Sequence, residues 1–180
     1  MKTQNYSRLC ARFLIALAAA LPLDLHAQRE SFKEQVRERV AALVNELRTQ
    51  HGARPLEREA RLEEAAGYLA DYMARTDRLD HRADGTSPRE RVKQRGYAYC
   101  DVSENIAVEY SSRGFTIEGL ARNFIRGWHD SPTHRANMLD PIVTQTGLGV
   151  ARSARGEYFV AQVFARPMTP GTAGRATCPR

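Results

Sequence analysis

Cysteine is scarce in this chain: three residues in 180, at Cys10, Cys100 and Cys178. A disulfide-dense scaffold is therefore excluded, and no two of the three have the close spacing of zinc ligands. Tryptophan occurs once, at Trp128. No apolar run suits a bilayer span; the best, Phe13 to Leu23, falls well short of the roughly 20 residues needed. There is no internal repeat, no HExxH helix and no interleaving of aromatic with basic residues of the RNA-binding kind. Basic residues outnumber acidic ones, 27 to 21. The two signs alternate closely, as in RERV, RLEE and SPRERVK. Such patterns read as solvated helix faces, and no nucleic-acid partner is expected.

What is present begins with a leader. Lys2, Arg8 and Arg12 precede the Phe13–Leu23 run, and Leu25-His26-Ala27 offers a small-residue cleavage site. Residues 1–27 thus read as a signal peptide; the alternative is an N-terminal membrane anchor. Cys10 lies before the apolar run, which argues against a lipoprotein anchor. Removal of the three bases and Asp24 lowers the formal charge from +6 to +4. Residues 28–166 then form one domain large enough for a core, and 167–180 a flexible tail rich in Pro, Gly and Thr. A secreted or periplasmic protein meets oxidising conditions, where Cys100 and Cys178 would pair; otherwise they remain free thiols. No stable membrane span remains after cleavage.

Apolar spacing of three and four predicts a helix over 32–50, with Ser31 and Glu34 as a capping box and Gly52 as its stop. His51, in the last turn, suits the helix dipole and reads as structural. A second helix is predicted over 59–76, and a third from Pro88, capped by Ser87 with Glu90 closing the box. A fourth follows Thr116 and runs to about His129. Ser131-Pro132 then restarts a helical turn that holds His134. YAYCDVSENIAVEY reads as a strand, LGVARS and EYFVAQVFA as a hairpin around Gly156. Gly147 and Gly149 resemble a phosphate loop only superficially, since no helix follows. Helices around an antiparallel pair predict an α+β or layered α/β/α domain.

Three polar residues stand out. His81 follows the second helix beside an Asp84-Gly85 turn, where a side chain can be aimed into a cleft. Glu104 interrupts an apolar strand together with Asn105; if it points inward it needs a cation, a basic partner or backbone donors. His134 sits in the most polar stretch, WHDSPTHRANMLDP.

In combination these segments resemble the CAP superfamily, the SCP-like domains of cysteine-rich secretory proteins, venom antigens and plant pathogenesis-related proteins. The likeness is carried by NELRTQHGARPL (45–56), LDH ending at His81, SENIA (103–107), GWHDSPTHRANMLDP (127–141), GLGVA from Gly147, and FVAQVFA. It covers about Phe32 to Ala165 and is nearest the short bacterial secreted members. The resemblance implies an α/β/α three-layer sandwich with a mostly antiparallel central sheet. It also implies a cleft where His81, Glu104 and His134 meet, bordered by Ser131 and Asn105. Many members carry a second acid there; here that position is Ser131. Val44 stands where eukaryotic members often have His, and their further disulfides are missing.

Three functions are open at this point. One is a secreted binding module whose cleft takes an extracellular ligand, a lipid or envelope component. The second is a hydrolase, peptidase-like, with His81 or His134 as base. The third is a polar network that only stabilises the fold. His81, His134 and Glu104 are a candidate divalent-metal set, zinc by ligand type. Ser131 is expected to cap a helix rather than act as a nucleophile.

Overall fold

The computed structural model describes residues 21–170 and 176–178. The predicted signal peptide falls mostly outside the described residues. Contacts divide the chain at Phe32/Lys33, and the architecture below is that of the second unit. Among the described residues no helix is long and apolar enough to cross a membrane.

The elements in order are α1 (Leu21–Gln50), β1 (Glu57–Arg58), α2 (Ala60–Thr76), α3 (Pro88–Gln94), β2 (Tyr99–Glu109), α4 (Ile117–Asp130), α5 (Pro132–Leu139), β3 (Gln145–Arg152), β4 (Tyr158–Pro167), β5 (Thr169–Pro170) and β6 (Ala176–Thr177). The main sheet has the order β1-β3-β4-β2. β4 pairs antiparallel with β2 and β3, while β1 pairs parallel with β3. This is the predicted mostly antiparallel sheet between helices.

Local signals account for most boundaries. Ser87 and Glu90 form the reciprocal capping box at α3, and the Thr116 hydroxyl accepts from Gly119 N–H at α4. Two expectations are corrected. α1 runs back to Leu21, so Ser31 lies inside the helix and not at its cap; Leu, Ala, Gln, Arg and Glu in that stretch favour helix, and Pro22 is confined to the first turn. At α5, Ser131 occupies the cap position by its backbone, but its side chain makes no capping hydrogen bond. Strand β1 has no sequence signal: two residues carry no periodicity, and their pairing with β3 is entirely a tertiary event.

Helix α2 lies on one face of the sheet. Leu62, Ala66, Leu69 and Met73 join Val102 and Ile106 of β2, Ala151 of β3, and Phe159, Ala161 and Val163 of β4 in one buried cluster. The two β3 glycines permit that packing. A Cβ at Gly147 would lie 2.1 Å from the Leu62 carbonyl carbon, and one at Gly149 would lie 2.4 Å from Gly67 Cα. They serve close helix–sheet approach, not phosphate. On the opposite face sits Trp128 of α4, buried among the core residues, its indole N–H donating to Ile106 O at 3.1 Å.

Arg48 ties α1 to α5. Fully buried, it donates to the carbonyls of Arg54 (2.7 Å), Met138 (2.7 Å), Asp140 (2.9 Å) and Val143 (3.3 Å). Two contacts involve described residues of the tail. Cys100 and Cys178 are disulfide-bonded, and β5 pairs with β6.

Candidate functional site

Side chains alternate along a strand, so Glu104, between Val102 and Ile106, faces the α2 side and Asn105 faces the α5 side. β2 is one of the two edge strands of the main sheet.

His81 lies in the turn after α2. That helix ends at Asp77 in the left-handed conformation (φ 50°), and Asp80 then accepts from Arg82 N–H at 2.8 Å. His81 Nδ1 is 2.8 Å from Glu104 Oε1. The imidazole is 43% exposed and the carboxylate 1%: one end of the pair is wet, the other dry.

The positive partner that Glu104 requires is Arg91 of α3. Its Nη2 donates to Oε1 at 3.0 Å and to Oε2 at 2.8 Å. Its Nη1 donates to Asp84 Oδ1 at 3.0 Å and to the Thr86 carbonyl at 2.9 Å. Arg91 has no exposed surface. The SPRERVK stretch therefore does not read wholly as a solvated face. Burial works to raise the Asp84 pKa, but the Thr86 hydroxyl and N–H and the Arg91 charge outweigh it, holding this carboxyl below its ordinary value.

His134 belongs to the other layer. Asn105 Nδ2 donates to its carbonyl at 3.0 Å, and Asn137 Nδ2 donates to Asn105 Oδ1 at 2.9 Å. These bonds anchor α5 to β2. Burial pushes the His134 imidazole below its ordinary pKa, and charge on His81 pushes it further down. Among the described residues neither ring is hydrogen-bonded to a hydroxyl or thiol.

The structure thus brings His81 to Glu104 by a hydrogen bond, while His134 shares no hydrogen bond with either among the described residues. Asn105 is turned to the opposite face, where it holds α5. Ser131 makes no side-chain cap and none of the site contacts described above. The three-ligand metal set does not fit: both Glu104 oxygens are engaged by Arg91, and one also by His81. Among the described residues no group of three or more His, Cys, Asp or Glu side chains could hold a metal ion.

Sequence reasoning missed Arg91 and Asp84. The usable signal was Glu104 itself, an acid in an apolar strand that demanded a base.

Residues 41–164 match the model of the cysteine-rich secretory protein family, CAP. The YkwD protein of Bacillus subtilis is 28% identical over 116 residues, a stretch that is 64% of this chain and 42% of that protein. This chain therefore spans less than half the length of that relative. Among solved structures, an outer surface protein of Borrelia burgdorferi is similar with a TM-score of 0.65 at 18% identity, covering 75% of this chain and 94% of that one. An extracellular SCP-domain protein of Bacillus anthracis has a TM-score of 0.63 at 22% identity, covering 74% and 41%. At such identities the two structures show the shared fold.

Proposed function

The chain belongs to the cysteine-rich secretory protein family, CAP, and from that membership and the geometry around β2 we propose that it is an exported binding module. Its cleft, walled by His81 and His134 and closed below by Glu104, takes an extracellular ligand, an envelope component or lipid headgroup, without covalent chemistry. The observation that supports this most is the state of the two rings. His134 is biased toward its neutral form, and half-exposed His81 has its Nδ1 engaged by Glu104, which leaves Nε2 for a ligand. A bare ring nitrogen can accept from a ligand hydroxyl, and a ring N–H can donate to a hydroxyl or headgroup oxygen. Among the described residues neither is hydrogen-bonded to a nucleophile that it could activate. The extracellular and outer-surface origins of the Bacillus anthracis and Borrelia proteins support export.

Zinc would find only two nitrogens here, with its remaining ligands drawn from water or from the ligand itself. The experiment is calorimetric titration of the mature protein with envelope glycans, anionic lipid headgroups and zinc, wild type beside His81→Ala and His134→Ala. Saturable binding of a glycan or headgroup that weakens at least tenfold in both folded variants supports the module. Binding indifferent to both variants removes the cleft from the function.

A second reading rests on one contact. An imidazole whose Nδ1 is oriented by a carboxylate is also the arrangement of a general base. Peptide or ester turnover that disappears in folded His81→Ala would replace the module with a hydrolase acting through a bound water.

A further inference from the structure

The Arg91 guanidinium bridges two carboxylates from different parts of the chain, Asp84 in the turn before α3 and Glu104 in β2. All three side chains are at most 1% exposed. Burying three charges is costly, and a hydrophobic trio of similar volume commonly holds a helix to a sheet as well or better. Arg91 also leaves its own Nε buried without a partner. Its other two nitrogens are held by the two carboxylates and the Thr86 carbonyl. What apolar packing could not do is aim an oxygen atom.

Resting on the cleft reading above, we propose that Arg91, itself held by Asp84, is the positioning residue of the cleft: it fixes the Glu104 carboxylate and thereby the tautomer of His81. Nη2 reaches both Glu104 oxygens while Nη1 is tied to Asp84 and the Thr86 carbonyl, and the anchored guanidinium orients the carboxylate. Oε1 then faces His81 Nδ1 at 2.8 Å. An ionised carboxylate only accepts, so Nδ1 carries the proton and neutral His81 presents a bare Nε2. Without Arg91 the buried Glu104 carboxylate would lose its charged partner and be free to turn. The preference at Nδ1 is then lost. The chain of contacts Asp84–Arg91–Glu104–His81 thus carries order from the dry interior to the exposed ring.

The test is nitrogen-15 NMR of the histidine rings at a pH above their titration, with no ligand present. Wild type should show His81 as the Nδ1–H tautomer. In Arg91→Lys, which keeps the charge but loses the planar group that reaches Glu104 with one nitrogen and Asp84 with the other, the dominant form should switch to Nε2–H. Val40→Ala, a core truncation in α1 outside the network, should lower stability and leave the tautomer alone. If Arg91→Lys does not fold, Asp84→Asn carries the test, with a smaller switch in the same direction. An unchanged His81 tautomer in a folded variant overturns the proposal, as does an Nε2–H ring in wild type. Because no ligand is used, a cleft that binds nothing in calorimetry leaves this result standing, and the two readings fail separately.

Discussion

Gly147 of β3 lies so close beneath α2 that an added Cβ would stand 2.1 Å from the Leu62 carbonyl carbon. The obstacle is backbone, which cannot rotate away. Gly147→Ala is therefore expected to force α2 off the sheet and cost about 3 kcal/mol or more. Gly127 in α4 is the contrast: a Cβ there meets nothing within 4 Å. Gly127→Ala should stabilise by roughly 0.5–1 kcal/mol through helix propensity and lower unfolded-state entropy. Urea midpoints of the two variants beside wild type check both signs.

Arg48 shows why some of the fold is legible in the sequence and some is not. α2, α3 and α4 can be read because their signals are local: apolar residues at three and four, Ser87 with Glu90, Thr116 before Gly119. His51 reads as a helix-end residue for the same reason, and its Nδ1 does contact Leu47 O at 2.9 Å. Arg48 and Arg91 sit among charged neighbours in helical stretches indistinguishable from solvated faces. Their carbonyl and carboxylate partners lie elsewhere in the sequence, and only folding brings them together. Glu104 is visible as an anomaly, but the base that answers it is not. The close approach at Gly147 could have been suspected, since an isolated glycine in a strand often marks backbone contact.

Removal of Arg48 should accordingly be severe. Arg48→Met retains much of the volume but strands the Met138 and Val143 carbonyls in the interior. A loss of about 3 kcal/mol or more is expected from unpaired buried acceptors, and Arg48→Lys should recover little because ammonium cannot fork to four carbonyls. Since those carbonyls fix the end of α5, amide exchange in α5 should accelerate more than in α2. Equal acceleration in the two helices would mean that Arg48 supports the fold only globally.

The Cys100–Cys178 bond closes a separation of 78 residues. A chain-entropy argument assigns such a loop about 4.5 kcal/mol. Its measurable local effect should lie in the β5–β6 pair, where Thr169 Oγ1 donates to Thr177 O at 3.3 Å. Cys100→Ser with Cys178→Ser should lower the thermal midpoint and speed exchange at Thr177 while sparing the β2–β4 amides. Protection lost throughout the sheet would contradict this assignment.

His134 sets the acid limb of stability nearest neutrality. Burial and the charge of His81 both hold its folded pKa below the ordinary value. The unfolded chain therefore takes up a proton on His134 more readily than the folded one. By linkage, stability from this group is fully present above about pH 6.5. It declines as pH falls below that value and levels off once pH passes below the depressed folded pKa. Asp84, also depressed, acts in a lower window: its contribution is present above its unfolded carboxylate pKa and is lost as pH falls through the still lower folded one. The two are separable by thermal midpoints against pH for wild type, His134→Gln and Asp84→Asn. His134→Gln should flatten the curve just below neutrality and leave the lower limb, and Asp84→Asn the reverse. A wild-type curve already flat between about pH 6.5 and 5 would place His134 in open water, far from His81.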